Sequence, residues 1–355
     1  IMIQYQPKFT INNQILTNIA NIVAAKEFIE SAPLIPAWEA KFRREAIERT
    51  VHHGTHLEGN KLNMEQAKEV LDGRQILAKQ DDIQDIINYR EVLGYIDSVA
   101  KKEGKLTEEV LLKIHSLTVD KLLPDDQKGR FRTQQVYVTN SRTGEVSFTP
   151  PKPEKVAGEI RYFLDWLNSK ESENIHPTLK AGVVHYNLAR IHPFVDGNGR
   201  TSRACATLVL FLSGYDIKKF FALEEYYDTD AASYYKTLQE TSNQIVEGES
   251  DRDLTGFLEY FTKGLAVELT RVRERVQHLS SDLRLKKRVG QLALTERQAK
   301  IVEYIQSYGK ITNREWRSLL PDYSDDTVLR DLKDLIKKKI IKKKGTTKSA
   351  AYIMK

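Results

Sequence analysis

The sequence predicts a mainly α-helical protein with one small β-hairpin near its middle and a separate basic unit of helices and a second hairpin at its C-terminal end. Three observations predict this. Apolar residues recur three and four apart through most of the first 290 positions, the spacing of one helix face. Before residue 290, strict alternation around a Gly-containing turn occurs at one place, Val136, Val138, Val146 and Phe148. Charge is the third: from Gly290 onward there are 15 Lys or Arg against 8 Asp or Glu, and the remainder is balanced at 40 against 41.

A length of 355 residues suggests two or three domains of roughly 100–200 residues each. Spaced apolar positions predict helices over 20–30, 38–51, 63–71 and 83–101. The next helix, over 106–122, is opened by Thr107 with Glu108 and Glu109 favourable in its first turn. Lys128 to Val138 then leads into the hairpin, whose turn falls at 140–144. A helix over 153–168 carries Ile160, Phe163, Leu164 and Leu167 on one face. The segment 178–190 is helical and stops where Pro193 disfavours helical geometry at His192. A buried helix over 201–213 carries Ala204, Leu208, Leu210, Phe211 and Leu212. Tyr226, Tyr227, Tyr234 and Tyr235 follow, and 254–285 reads as one or two long helices ending in a basic linker at 284–288.

The densest chemistry lies between the two central helices, in Ile191-His192-Pro193-Phe194-Val195-Asp196-Gly197-Asn198-Gly199-Arg200-Thr201-Ser202-Arg203. Gly197 and Gly199 let the backbone bend tightly and approach a ligand. Free N–H groups opening the second helix make an anion site, and Arg200 and Arg203 add forked donors suited to phosphate oxygens. Asp196 supplies the one hard carboxylate that magnesium needs when phosphates and waters fill its other positions. His192 is the base nearby that titrates close to neutrality. A base, a metal ligand and a phosphate cradle together describe phosphoryl or nucleotidyl transfer. His52, His53, His56, His115, His176, His185 and His278 lack such a setting and read as structural.

This string resembles the signature loop of the Fic family, His-Pro-Phe-x-(Asp/Glu)-Gly-Asn-Gly-Arg-x-x-Arg, and meets every specified position from His192 to Arg203. The resemblance implies a Fic-type helical core and transfer of AMP from ATP to a Ser, Thr or Tyr hydroxyl of a protein. It implies that His192 deprotonates that hydroxyl and that Asp196 holds Mg2+. It also implies that Gly197, Asn198, Gly199 and Arg200 grip the phosphates, that Arg203 meets the terminal phosphate, and that Phe194 anchors the loop. Upstream, Thr55-His56-Leu57-Glu58-Gly59-Asn60 is similar to the inhibitory motif (Ser/Thr)-x-x-x-Glu-(Gly/Asn) of one class of the family. There the glutamate pairs with the second loop arginine and obstructs the terminal phosphate. Glu58 and Gly59 match, but the hydroxyl position falls on Gly54, with Thr55 one residue late. The hairpin, from Gly129 and Arg132 to Val136 and Val138, resembles the family's flap, which clamps a target's backbone as an added strand. Tyr227 and Tyr235 stand where they would wall the adenine.

From residue 294 the pattern changes. Thr295-Glu296-Arg297-Gln298 and Thr312-Asn313-Arg314-Glu315 read as capping boxes, and Ser324 caps a third helix carrying Val328, Leu329, Leu332, Leu335 and Ile336. Two short strands over 340–344 and 350–353 enclose a polar turn at 345–349. Three helices and a hairpin resemble a winged helix-turn-helix, with 326–337 as recognition helix and a basic wing facing a duplex DNA backbone. The expected organisation is an N-terminal helical region over 1–105 bearing the inhibitory motif, a Fic core over 106–265, a helical linker over 266–292 and a winged-helix domain over 293–355.

The longest apolar run, 204–212, is interrupted by Thr207 and is too short to span a bilayer. No N-terminal segment has the pattern of a secretory signal, so a cytoplasmic location without a membrane partner is expected. Cys205, the single cysteine, excludes an internal disulfide and a thiolate zinc site. Expected partners are ATP, a protein substrate, duplex DNA and a second copy of the chain. Two other functions share the same residues. One is a DNA-binding regulator whose Fic domain senses a nucleotide; the other is removal of AMP from a modified protein, with Glu58 orienting water.

Overall fold

The computed structural model describes residues 5–139, 146–246, 251–288, 294–345 and 350–355. It divides into two compact units, residues 1–30 with 45–272, and residues 31–44 with 273–355. The expected turn at 140–144, residues 346–349 of the second turn and 289–292 of the expected linker lie outside the described residues.

The first unit is built from helices, of which those beginning at Pro36 and Thr255 fall partly within the second unit, as residues 36–44 and 273–288. They are α1 (Asn13–Ser31), α2 (Pro36–His56), α3 (Met64–Leu71), α4 (Gln80–Lys101) and α5 (Glu108–Thr118), then, after the hairpin β1 (Val138–Thr139) and β2 (Val146–Phe148), α6 (Pro153–Leu167) and the short α7 (Lys170–Glu173). The central pair α8 (Pro177–Ile191) and α9 (Asn198–Leu212) follows, then α10 (Leu223–Thr229), α11 (Ala231–Ser242) and the long α12 (Thr255–Arg288). Local chemistry sets several boundaries. The Thr107 hydroxyl accepts the Val110 N–H at 3.2 Å and so opens α5. An Asn63–Gln66 capping box opens α3. Pro177, at the start of α8, needs no N–H partner there.

α8 and α9 form the centre of the unit and pack on each other more extensively than any other pair. Val183, Val184 and Leu188 of α8, and Leu208, Val209 and Leu210 of α9, are buried. Each such side chain contributes about 1.5–3 kcal/mol when fully buried. α9 opens at Asn198, three residues earlier than its apolar pattern suggests, because Gly197 at φ +74° takes the left-handed turn that starts it. Gly199, Arg200 and Arg203 therefore stand on its first two turns. The hairpin is shorter than expected: β1 pairs Val138 with Phe148 and Thr139 with Val146, and Val136 precedes it, half-buried. Most of the expected linker is the continuation of α12, whose backbone runs unbroken to Arg288.

The second unit contains α13 (Glu296–Tyr308), β3 (Ile311–Thr312), α14 (Asn313–Leu319), α15 (Asp325–Lys337), β4 (Ile341–Lys344) and β5 (Ala351–Met354). Its three strands pair antiparallel in the order β3, β5, β4, with Ile311 and Lys343 flanking Tyr352. Ile301, Ile305, Ile311, Trp316, Val328, Leu332, Leu335 and Ile341 form its own core. Both expected capping boxes are present, Thr295 with Gln298 and Thr312 with Glu315. β3 is only two residues long, and its Thr312 also serves as the cap of α14, so the sequence shows no alternation there. Ser324 precedes α15 but caps no amide; its hydroxyl meets that of Thr327 at 2.9 Å. Among the described residues, no helix is long and apolar enough to cross a membrane.

Candidate active site

His192 ends α8 in the left-handed conformation, φ 50° and ψ 58°, so its side chain leaves the helix face and enters the loop. Its Nδ1 lies 3.1 Å from the Ala189 carbonyl. A carbonyl only accepts, so Nδ1 carries the proton and Nε2 keeps the lone pair. Burial lowers the pKa of this imidazole, and the Ala189 carbonyl and Glu58 carboxylate offset only part of that, so the neutral form is favoured.

The loop that follows is held rigidly. The Asn198 side chain closes it on itself, accepting the Phe194 N–H at 2.9 Å and donating to the Phe194 carbonyl at 2.9 Å. Phe194 is fully buried and stacks on His115 at 3.7 Å between ring centroids. His115 Nε2 donates to the Asp196 carbonyl at 3.1 Å, and its Nδ1 accepts the Gly129 N–H at 3.0 Å. One imidazole thus ties the loop to the start of the flap. Arg132, 3% exposed, donates from Nε to the His192 carbonyl at 2.8 Å, from Nη1 to the Gln134 carbonyl at 3.1 Å and from Nη2 to the Pro151 carbonyl. Its N–H meets the Pro193 carbonyl at 2.9 Å. Every polar arm of the Arg132 side chain is thus spent on backbone inside the protein, so within the expected flap it acts as a brace of its base. Tyr137, beside β1, is the exposed aromatic of the flap.

The two loop arginines differ. Arg200 is buried and paired with Asp85 of α4, with the Asp196 carboxylate 3.8 Å from Nη2. Arg203, its side chain 1% exposed, is ion-paired with Glu58 at 2.8 Å, and its Nη2 donates to the Gly54 carbonyl at 2.8 Å. Burial opposes the charge of Arg203, but the Glu58 carboxylate and the surrounding tyrosine hydroxyls outweigh it and raise its pKa. Glu58 also lies against Gly199, where an added Cβ would collide with the carboxylate. Glu58 and Arg203, 145 positions apart in sequence, therefore meet at the opening turn of α9.

The carboxylate of Asp196 is 64% exposed; Oδ1 accepts the Gly197 N–H at 2.6 Å. This leaves a carboxylate oxygen open to solvent, which fits a magnesium ion that takes its other ligands from phosphates and water. Among the described residues no cluster of three or more His, Cys, Asp or Glu is arranged to hold a metal on its own.

The two tyrosines separate. Tyr235 is 45% exposed, and its hydroxyl donates to the Leu57 carbonyl at 3.1 Å, beside Glu58. Tyr227 is 1% exposed, packed 4.8 Å from Tyr234 and 5.4 Å from His185. Of the two tyrosines expected to wall an adenine, Tyr227 is therefore closed to solvent and Tyr235 is open. The sequence reading missed Asp85, His115, Tyr89 and Glu224. A signal existed for two of them. Gln84, Asp85 and Asn88 put a buried polar patch on a helix of otherwise apolar spacing, and His115 follows Leu111 and Ile114 on the apolar face of α5.

His115 makes a testable contribution. Burial lowers its pKa to about 4, well below the ordinary value of about 6.5. The folded state thus keeps it neutral where the unfolded chain takes up a proton. Its contribution is complete above pH ~6.5 and is lost as pH falls toward ~4. A His115→Gln variant is expected to flatten the fall of melting temperature with pH across that window. An unchanged slope would remove His115 from this role.

Part of the chain is similar to known proteins. Residues 105–210 match the model of the Fic/DOC family. The chain is 34% identical over 179 residues to "Protein adenylyltransferase Fic" of Drosophila willistoni, covering 49% of this chain and 34% of that protein. It is 29% identical over 202 residues to the protein of the same name from Nematostella vectensis, covering 55% and 45%. The chain thus spans about a third of the length of the fly relative and under half of the sea-anemone one. A crystal structure of a Fic family protein from Desulfovibrio desulfuricans G20 matches with a TM-score of 0.67 at 23% identity, over 99% of this chain and 98% of that one. Fic-1 of C. elegans matches with a TM-score of 0.59 at 23% identity, over 76% and 73%. At these identities the structural matches concern the fold.

Proposed function

We propose that this chain, whose residues 105–210 form a Fic domain, is an autoinhibited protein adenylyltransferase that moves AMP from ATP to a Ser, Thr or Tyr hydroxyl of a protein. The observation that carries the proposal is the ion pair at 2.8 Å between the exposed Glu58 and the buried Arg203, which stands one helix turn beyond the loop of a histidine whose Nε2 keeps its lone pair. In the proposed step the hydroxyl oxygen attacks the α-phosphorus, its proton passes to His192 Nε2, and the bond to the β-phosphate oxygen breaks, releasing pyrophosphate. The free N–H groups at the start of α9 face the phosphates, and Arg203 takes the terminal one once Glu58 gives way. Asp196 would hold Mg2+, which supplies neutralisation of phosphate charge when bound. Arg200, locked to Asp85, acts by fixing the turn from below. Phe194 and Arg132 hold the loop and the flap base still, so that a target strand laid along β1 presents its hydroxyl at one place. Intact-mass measurement of the protein and its targets after incubation with ATP tests this: the expected gain is AMP, and a gain of phosphate alone contradicts it.

The C-terminal unit supports a second part of the reading, binding of duplex DNA. Arg330, Lys333 and Lys337 are exposed at helical spacing along α15, and Lys342, Lys343 and Lys344 are exposed on β4. Such a surface neutralises phosphates irrespective of sequence. Replacing Lys342, Lys343 and Lys344 by Ala is expected to reduce the log–log salt slope of DNA binding by about 2–3, near 0.9 for each lost phosphate contact. If the protein fails to bind duplex DNA even at low salt, the unit is a protein-docking module instead.

A further inference from the structure

Glu58 stands two residues beyond the end of α2, and Arg203 meets that end twice. Its Nη1 pairs with the Glu58 carboxylate at 2.8 Å, and its Nη2 donates to the Gly54 carbonyl at 2.8 Å. The serine or threonine of the inhibitory pattern does not fit at position 54, where a Cβ would strike the Tyr89 ring and come within 3.2 Å of Glu224 Cγ. The turn that carries Glu58 is held by other groups.

His53 and His56, one turn apart on α2, both direct Nδ1 to the carboxylate of Asp228 in α10. His53 meets Oδ2 at 2.7 Å, and His56 meets Oδ1 at 2.8 Å and Oδ2 at 3.0 Å. A carboxylate only accepts, so each Nδ1 carries its proton and donates it. The Asp228 side chain is 10% exposed and that of His53 18%, so their contact is largely shielded from water, while His56 closes it at the surface. One turn earlier on the same face, Arg49 bridges Glu225 at 2.5 Å and Glu268 at 2.7 Å, and the Ala222 N–H donates to Glu268 at 3.0 Å. α10 is thus fixed at its start, and Asp228 fastens the last turn of α2 to it. Beyond the helix end, the Tyr235 hydroxyl donates to the Leu57 carbonyl at 3.1 Å. The N–H groups of Glu58 and Asn60 then both donate to the Thr55 carbonyl, at 3.0 and 3.2 Å, and close the turn.

We propose that Asp228 is a positioning residue for Glu58: through His53 and His56 it latches the end of α2 to α10 and so holds the Glu58 carboxylate on Arg203. The proposal rests on the reading of Glu58 as a brake on the terminal phosphate of ATP. A carboxylate on a fixed backbone gives up less freedom in reaching its partner, so the latch strengthens the pair without touching Arg203. With the latch open, the end of α2 is free to draw back and the terminal phosphate competes for Arg203 against a weaker rival.

Calorimetric affinities for ATP and ADP on the full chain test this, in wild type, D228A, E58G and E58G/D228A. D228A is expected to raise the ATP-over-ADP affinity ratio about 3–10-fold, less than E58G does, because Asp228 acts at one remove from Arg203. In the E58G background the same substitution should change the ratio by less than about twofold, since no carboxylate remains to be positioned. A merely structural Asp228 would lower the melting temperature and leave the ratio as it is. Should D228A fail to fold, H53A/H56A opens the latch from the other side. Alanine favours the helix, so α2 keeps its propensity and the same rise is expected. A ratio unchanged by opening the latch, while E58G raises it, overturns the proposal. A rise of equal size in the E58G background also overturns it, because Asp228 would then act without Glu58. If E58G itself leaves the ratio unchanged, the reading of Glu58 as a brake fails and takes the proposal with it, so the two failures are distinguishable.

Discussion

Replacing His192 with alanine is expected to cut AMP transfer by about 10²–10⁴-fold, the usual contribution of a positioned base. Nucleotide affinity should change little, because in the proposed step the imidazole serves the target hydroxyl, while the phosphates would be met by the α9 amides and Arg203. The tautomer makes the expectation specific. Nδ1–H is committed to the Ala189 carbonyl, so Nε2 alone accepts the proton, and a His192→Asn variant retains a side chain without a base. Burial lowers the pKa of His192 below its ordinary range. The base is competent when neutral, so kcat/KM is expected to rise with pH through that lowered pKa, reach a plateau by neutrality and fall on acidification. Label transfer measured across pH, beside calorimetric nucleotide binding, checks both parts. Undiminished transfer by the alanine variant would remove His192 from the base role.

Replacing Glu58 with glycine is expected to have the opposite sign. The carboxylate occupies a guanidinium that is otherwise sealed from water, and a terminal phosphate offers Arg203 an equivalent forked partner. A hydrogen-bonded charge is worth about 1.5–3 kcal/mol, so removing the competitor should raise affinity for ATP relative to ADP by roughly 10–100-fold. ADP has no phosphate to place on Arg203 and should bind the two proteins alike. Transfer should rise with ATP affinity. Calorimetric titration of both nucleotides into both proteins measures the ratio, and an unchanged ratio without gain in transfer would make Glu58 merely the end of a helix turn.

The parts of the site legible in the sequence were those whose function lies in consecutive residues. His192 to Arg203 form one turn and one helix start, so their spacing carried both the loop and the opening of the helix after it. Glu58 could be read from its short motif, but its meeting with Arg203 depends on how α2 and α9 pack, which periodicity does not encode. The surroundings of Arg132 and Tyr227 were not legible for a related reason. Their residue types suit a binding surface, and only burial shows that one serves the backbone of the loop and the other the core. His115 looked like one more histidine on an apolar face; its bonds to Gly129 and to the Asp196 carbonyl appear only in three dimensions. In the C-terminal unit the capping boxes located α13 and α14, whereas β3 was too short to show alternation.

The central claim is that this loop transfers a nucleotidyl group from the α-phosphate using His192, under the brake of Glu58. Incubating the Glu58→Gly protein and a lysate with ATP labelled at either the α- or the γ-phosphate tests it most directly. Protein-bound label is expected from α-labelled ATP, none from γ-labelled ATP, and none from either when His192→Ala is added. Retention of the γ label, or equal α-label transfer without His192, would contradict the account.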